Sequence, residues 1–208
     1  MSTYTWPAGI AYTPLSADWW LVGSDITTRS VLGAGQQTSA VPGAVWSAVL
    51  NFSPDSDARR HALLGFLRGL NGKEHRVALW DMRKFSAAGV QGSPSGTIAT
   101  SGLTLSAAAA QFASSVSIAG CGAGATLAAG DMFKVGGQLI ENTALATANG
   151  SGVMTVAVPQ RLRAAAASGA AVTVVKPTAL FVLKEPFHAL RERARYTAFS
   201  VEFEEVYA

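Results

Sequence analysis

Two carboxylates near the end of the chain are the closest that this sequence comes to a catalytic pair. Glu202 and Glu204 lie two residues apart in FSVEFEEV, so a β-strand would place both side chains on one face. Glycoside hydrolysis needs two carboxylates that face each other across a cleft. Two neighbours on one strand face instead indicate a solubilising surface, or one that pairs with arginines.

The sequence also lacks the residue spacing of a metal centre. His61, His75 and His188 are scattered, and two of them sit among arginines, which would repel a cation. Cys121 is the only cysteine, so neither an internal disulfide nor a cysteine-based zinc site is available. We therefore expect no metal and no other cofactor.

Two glycine-rich segments resemble functional motifs only in part. GSPSG, residues 92–96, has proline where a nucleophile elbow needs serine. GCGAGATLAAGD, residues 120–131, lacks the Gly-Lys-Ser/Thr ending of a phosphate-binding loop. Asp131 at its end could ligate a metal, but an aspartate there is far more often a turn former that bonds to its own backbone. The sequence predicts no catalytic residues.

Four tryptophans could form a platform for stacking sugars. They are Trp19, Trp20, Trp46 and Trp80. Tryptophans in strands are more often part of the core, and we expect these to be core residues.

The composition is that of a globular protein with a weakly charged surface. Of the 208 residues, 49% are hydrophobic and 14% charged, against roughly a quarter charged in an average domain. The net charge of +3 includes no lysine and arginine run typical of nucleic-acid binding. No signal peptide or transmembrane pattern is apparent. We expect a soluble protein made in the cytoplasm, with no nucleic-acid binding and no membrane insertion.

Short apolar and alternating runs predict a mainly β, α+β fold with one amphipathic helix. The helix is expected at about 54–70, with Ser53 as its cap, Pro54 in the first turn and Asn71-Gly72 as its stop. The residues expected on its apolar stripe are Ala58, Ala62, Leu63, Phe66, Leu67 and Leu70, with Arg59, Arg60 and Arg68 off it.

Charge is distributed unevenly along the chain. Residues 86–177 hold six charged residues among 92, whereas the remaining 116 hold 23. We therefore predict that 1–85 and 178–208 form one discontinuous β-sandwich or split barrel, with the helix packed on it. Residues 86–177 would be an inserted small β-barrel or sandwich.

Several patterns predict the local structure of this arrangement. MFKVGGQLIE, residues 132–141, predicts a hairpin with a two-residue Gly-Gly turn. The alanine runs 107–110 and 164–167 are candidate helical turns. The final strand, at 196–206, must pair with strands that precede the module, in a sheet that begins near residue 20.

Four segments together carry a resemblance to a known family. They are RSVLGAGQQ (29–37), GAVWSAVLNF (43–52), LLGFLRGLNGKEHRVALWD (63–81) and the closing FSVEFEEV (199–206). In this order they resemble the short, lambda-type minor tail proteins of long non-contractile-tailed phages. By extension they resemble the distal tail proteins that share their N-terminal fold. The 86–177 module is absent from the short members.

The resemblance implies a structural virion protein rather than an enzyme. Such proteins form a ring, usually a hexamer, that connects the tail tube to the hub proteins at the tail tip of a siphophage. The expected partners are copies of the chain, the tube protein and the hub proteins, and the expected location is the virion. Ring contacts are heterologous, so two different surfaces meet. The candidate interface residues are Arg29, Gln36, Gln37, Arg191, Arg193, Arg195, Glu202 and Glu204.

Two other functions are weighed against this one. The module could attach to host surface carbohydrate, but its only aromatic residues are Phe112 and Phe133, whereas sugar platforms generally use several aromatic faces. A hydrolase of cell-wall sugars is the least favoured, because no catalytic constellation is apparent.

Overall fold

Most of the chain folds into short strands, as the alternating apolar pattern predicts. The structure is a computed structural model that describes residues 1–23, 25–29, 33, 35–39, 43–53, 56–185 and 198–206. The mainly β, α+β fold class is confirmed, with one α-helix among the described residues, α1 (Asp57–Gly69). The strands are β1 (Thr3–Thr5), β2 (Ser16–Val22), β3 (Ile26–Arg29), β4 (Gln36–Ser39), β5 (Val45–Phe52), β6 (Arg76–Leu79), β7 (Thr104–Leu105), β8 (Ser115–Ala119), β9 (Thr126–Leu127), β10 (Met132–Val135), β11 (Gln138–Glu141), β12 (Ala146–Thr147), β13 (Met154–Ala157), β14 (Val172–Thr173), β15 (Ala179–Leu183) and β16 (Phe199–Glu205).

Contacts divide the chain into two compact units. The first consists of Met1–Trp20, Trp46–Ser93 and Lys176–Ala208, and the second of Leu21–Val45 and Pro94–Val175. This grouping differs from the expected boundaries, because 86–93 belong with the first unit and 21–45 with the second. That 86–177 is an inserted domain able to fold by itself stays a prediction.

The first unit is built on a six-stranded sheet in the order β1-β6-β15-β16-β5-β2. β1 runs parallel to β6, and β16 runs antiparallel to both of its neighbours. Phe203 of β16 lies between Ala48 of β5 and Leu183 of β15. The final strand therefore pairs with β5, which precedes the module, as predicted, and its other neighbour is β15. The sheet begins with β1 at Thr3, so the prediction that it begins near residue 20 was wrong.

One face of this sheet packs into an aromatic core. Val201 and Phe203 of β16 are buried, whereas Ser200, which directly precedes Val201 and lies on the other face of the strand, is exposed. This is the predicted alternation. The Trp6 ring stacks on Phe52 and meets Phe203 edge-on, with centroids 6.2 and 6.0 Å apart. The apolar side of the final strand thus belongs to the core.

Helix α1 begins later than the sequence suggested. Its N-cap is Ser56, whose side chain accepts a hydrogen bond from the Arg59 N–H, so Ser53 is not the cap. Pro54 lies outside the described residues. The predicted stop is confirmed, because Asn71 and Gly72 adopt φ of 47° and 63° directly after the helix.

The buried stripe of α1 is also rotated from the expected one. Arg60 is buried and lies in line with Leu63, Leu64, Leu67 and Leu70, whereas Ala58 and Ala62 are exposed and Phe66 is half-buried. The prediction was wrong for the two alanines and for Arg60. An alanine has little apolar area to bury, so the leucines determine which face packs. An arginine can lie along that face because its stem is apolar.

The second unit has short strands around a separate core of aliphatic residues and Phe133. Its sheets are β11-β10-β14, β13-β8-β7, β12-β9 and β3-β4. The Gly-Gly hairpin is confirmed, since β10 and β11 pair around Gly136 and Gly137, at φ of 55° and 89°. The prediction of helical alanine turns was wrong. Ala109 and Ala166 bridge the two runs with reciprocal 2.8 Å backbone hydrogen bonds, which satisfies both backbones without a helix.

Gly96 packs closely on the backbone of β9, within the second unit. A β-carbon on it would lie 2.1 Å from the carbonyl oxygen of Thr126, a backbone atom that has little freedom to move. We expect Gly96→Ala to lower the free energy of unfolding by about 1–3 kcal/mol. Gly150→Ala is the matched control, because nothing lies within 4 Å of the added carbon. Urea denaturation would test this, and equal losses for the two variants would contradict it.

Candidate subunit-contact surface

The first group of predicted interface residues lies on the β3–β4 hairpin. Arg29 pairs directly with Gln36 across the hairpin, and Gln37 pairs with Thr28. All eight residues of the two strands are exposed, and β3 and β4 hydrogen-bond to each other but to no third described strand. The hairpin therefore presents mainly polar side chains, and no other strand among the described residues pairs with either of its edges.

The second group lies on the outer face of β16, in the first unit. Glu202 and Glu204 are half-buried on that face, opposite Val49 and Ser47 of β5. The Lys184 Nζ donates to the Glu202 Oε1 at 2.6 Å. This hydrogen bond raises the pKa of Lys184, with smaller contributions from nearby carboxylates.

The described partner of this acidic face is therefore a lysine. Arginines were the expected partners, but Arg191, Arg193 and Arg195 lie outside the described residues. The pair between Lys184 and Glu202 is substantially exposed, with 44% and 31% of the two side chains accessible. Exposed ion pairs contribute little to folding, so this pair is not a major source of stability.

Sequence reasoning did not identify the structural role of Glu205. It lies on the inward face of β16, only 4% exposed, and its Oε2 accepts a 2.9 Å hydrogen bond from the Trp46 N–H of β5. The alternation that buries Val201 and Phe203 contains this signal, because residue 205 continues the same series. The acidic end of β16 thus has two outward carboxylates, those of Glu202 and Glu204, and one inward carboxylate, that of Glu205, which links β16 to β5.

Asp131 is a structural residue of the second unit. Its carboxylate accepts hydrogen bonds from three backbone N–H groups, those of Ser95, Gly96 and Ala128, at 2.7, 3.0 and 2.8 Å. The bond to Ala128, three residues earlier, confirms the predicted turn former. Within the described residues, no group of three or more histidine, cysteine, aspartate or glutamate side chains is placed to hold a metal ion.

The GSPSG segment begins at Gly92, which packs against Trp80 and Lys176. Gly92 has φ of 77° and its α-carbon faces the Trp80 ring and the Lys176 stem, which leaves no room for a side chain. The Lys176 Nζ lies 5.1 Å from the centre of the Trp80 ring. The backbone N–H of Lys176 also donates a 2.6 Å hydrogen bond to the Gly92 carbonyl.

The four tryptophans differ in exposure. Trp19 and Trp46 are buried, which confirms them as core residues. Trp80 is half-buried beneath Lys176, and Trp20 is 40% exposed, so the expectation that it is a core residue was wrong. It lies on β2, which pairs with β5 and with no other strand among the described residues.

The remaining residues that could take part in chemistry or ligand binding are the histidines, Cys121 and two phenylalanines. His75 Nδ1 accepts from the Ser2 N–H at 3.3 Å, His61 is exposed, and His188 lies outside the described residues. Burial raises the pKa of the Cys121 thiol, whose Sγ donates to the Ile118 carbonyl. Of the two aromatic residues in 86–177, Phe133 is fully buried and Phe112 is 45% exposed. A single exposed ring is a poor sugar-stacking platform.

No protein-family model matches the chain, and no curated protein matches it. In the part of the chain that the structure describes, no helix has both the length and the apolar character needed to cross a membrane.

Proposed function

We propose that this chain is a structural virion protein, a ring-forming minor or distal tail protein of a siphophage. In this role, copies of the chain form a ring, proposed to be a hexamer, between the tail tube and the hub of the tail tip. The motif order described under Sequence analysis supports the proposal, and the candidate contact residues that the structure describes lie on two different surfaces, as heterologous association requires. The proposed role involves no catalysis and no cofactor.

The β3–β4 hairpin is the observation that supports self-association most directly. Every residue of both strands is exposed, and the described part of the chain supplies no third strand to the pair. A two-stranded hairpin is at best marginally stable in water, and open strand edges readily pair with another chain. We infer that a neighbouring subunit covers this hairpin, with Arg29, Gln36 and Gln37 in the contact.

Electron microscopy of the purified protein, alone and on virions, tests the proposal. We expect class averages of closed rings with uniform subunits, and labelled antibody at the tail tip of the particle. A compact monomer at all concentrations, or labelling elsewhere on the virion, would overturn the proposed role.

The acidic face of β16 provides a mutational test of the same proposal. The double change Glu202→Lys and Glu204→Lys reverses two outward charges without touching the inward face of the strand. We expect this variant to fold but to lose ring assembly in sedimentation velocity. The two introduced lysines would then face the arginines that are the expected partners of this surface, and like charges repel. Glu74→Lys, at an exposed position outside the proposed surfaces, is the control. Normal assembly of the double variant would exclude this face from the ring contact.

A further inference from the structure

Two asparagines of the chain are each followed by glycine, and the structure gives their side chains different surroundings. Asn71-Gly72 follows helix α1, whereas Asn149-Gly150 begins the turn between β12 and β13. In an Asn-Gly pair the backbone nitrogen of the glycine can react with the asparagine side chain, because glycine has no β-carbon that hinders the approach. Both pairs consist of the same two residues, so the fold is what distinguishes their reactivity.

The amide oxygen of Asn149 is bonded to the backbone of its own turn. Its Oδ1 accepts hydrogen bonds from the N–H groups of Ser151 and Val153, both at 3.0 Å. The turn itself is closed by a 3.0 Å bond from the Gly152 N–H to the Asn149 carbonyl. Asn149 and Gly150 are exposed. The side-chain carbonyl is therefore polarised by two donors at a place that water reaches.

The Asn71 side chain is bonded through its nitrogen instead. Its Nδ2 donates to the Glu74 Oε2, and within the described residues no N–H group donates to its Oδ1. Negative charge that develops on this oxygen would therefore meet no backbone donor. The amide nitrogen, which would have to leave, is held by a carboxylate.

We propose that Asn149 is a site of spontaneous deamidation and that the fold favours it over Asn71. The Gly150 nitrogen loses its proton and forms a bond to the Cγ of Asn149, which places negative charge on Oδ1. Fixed N–H donors at an oxygen that gains charge lower the barrier of acyl transfer, and the N–H groups of Ser151 and Val153 have this arrangement. The Cγ–Nδ2 bond then breaks, Nδ2 leaves with the proton as ammonia, and a cyclic imide remains.

Water opens the imide at either of its two carbonyl carbons. Cleavage of the new bond between Cγ and the Gly150 nitrogen gives aspartate, whose carboxylate can still accept from Ser151 and Val153. Cleavage of the original peptide bond gives isoaspartate, in which the main chain runs through Cβ and Cγ. This product lengthens the turn that leads into Met154, a fully buried side chain of the second unit. We therefore expect isoaspartate, but not aspartate, to destabilise this unit.

Incubation of the full chain at mildly alkaline pH, followed by peptide mass spectrometry, tests the site. We expect Asn149 to lose its amide about tenfold faster than Asn71 in the folded protein. The same incubation in urea is the reference, because both side chains lose their hydrogen bonds there and the two rates should become similar. Equal rates in the folded protein, faster loss at Asn71, or the same preference in urea would overturn the proposal.

Gly150→Ala tests the reacting nitrogen. Nothing lies within 4 Å of the added β-carbon, so the variant should fold like the unchanged chain. We expect the amide loss at Asn149 to slow by about tenfold, since the side chain hinders the approach of the nitrogen, while Asn71 is unaffected. Loss at the original rate would mean that the reaction does not pass through this nitrogen.

Asn149→Asp tests the consequence for stability, because it reproduces the aspartate product. Its urea midpoint should match that of the unchanged chain, whereas incubated protein should unfold at lower urea in proportion to its isoaspartate content. An isoaspartate-rich sample with the midpoint of Asn149→Asp would contradict the expected disturbance of the turn. The inference does not depend on the proposed tail function, so either can fail without the other.

Discussion

Phe203→Ala is expected to lower the free energy of unfolding of the first unit by about 3–5 kcal/mol. Phe203 is fully buried in β16, an interior strand, and its ring meets Trp6 at a centroid distance of 6.0 Å. Its truncation removes buried apolar area and leaves a cavity between the sheet and the ring of Trp6. Total stabilities of about 5–15 kcal/mol make this a large fraction of the whole. Urea denaturation followed by tryptophan fluorescence would measure it.

Phe85→Ala is the matched control for this prediction. It makes the same chemical change in the same unit, but at a side chain that is 49% exposed. We expect a change within about 0.5 kcal/mol. Both variants should be measured at concentrations that keep the chain unassembled, because assembly itself adds stability. Similar losses at the two positions would mean that the final strand is not an interior strand of the sheet.

The parts of the fold that could be predicted are those with a local physical cause. The alternation of Val201 and Phe203 with polar residues predicts which face of β16 is buried, because strand side chains alternate. Gly136-Gly137 predicts a tight hairpin, since both positions need positive φ. Asn71-Gly72 predicts the end of α1 for the same reason. In each case a few adjacent residues determine the conformation.

The parts that could not be predicted depend on distant residues. Ala109 adopts an extended bridge because Ala166 supplies its partner, 57 positions later in the chain, and neither run contains a signal for the other. Arg60 is buried because it lies in line with the three buried leucines of α1, which determine the packed face of the helix. The edge strand β1 is only three residues long and pairs with β6, more than 70 residues away. Such pairings are tertiary and leave little trace in local periodicity.

The candidate site was predictable to a smaller extent. The sequence places Glu202 and Glu204 on one strand face, and the structure confirms that placement. The sequence contains no signal that Lys184 would lie next to Glu202, because that contact arises from the pairing of β15 with β16.

Asp131→Ala is expected to have a comparably large effect on the second unit, about 3–5 kcal/mol. The substitution removes the acceptor of three N–H groups in a part-buried site, and each N–H left unsatisfied costs about 1–3 kcal/mol. Two of these donors, Ser95 and Gly96, are far from Asp131 in the chain, so the carboxylate ties the beginning of the Pro94–Val175 segment to the residues just before β10. Urea denaturation, with hydrogen exchange at the three amides, would measure the loss.

Asp131→Asn separates the hydrogen-bonding role from the alternative of metal binding. The asparagine keeps one acceptor oxygen and its NH2 group cannot accept, so we expect a loss between that of the alanine variant and zero. A metal ligand would behave differently, because a chelator would then reproduce the effect of the substitution on the unchanged chain. We expect a chelator to leave the unfolding curve unchanged, since the carboxylate oxygens are already engaged by backbone N–H groups. A chelator-dependent shift, or equal losses for the asparagine and alanine variants, would contradict the structural role of this carboxylate.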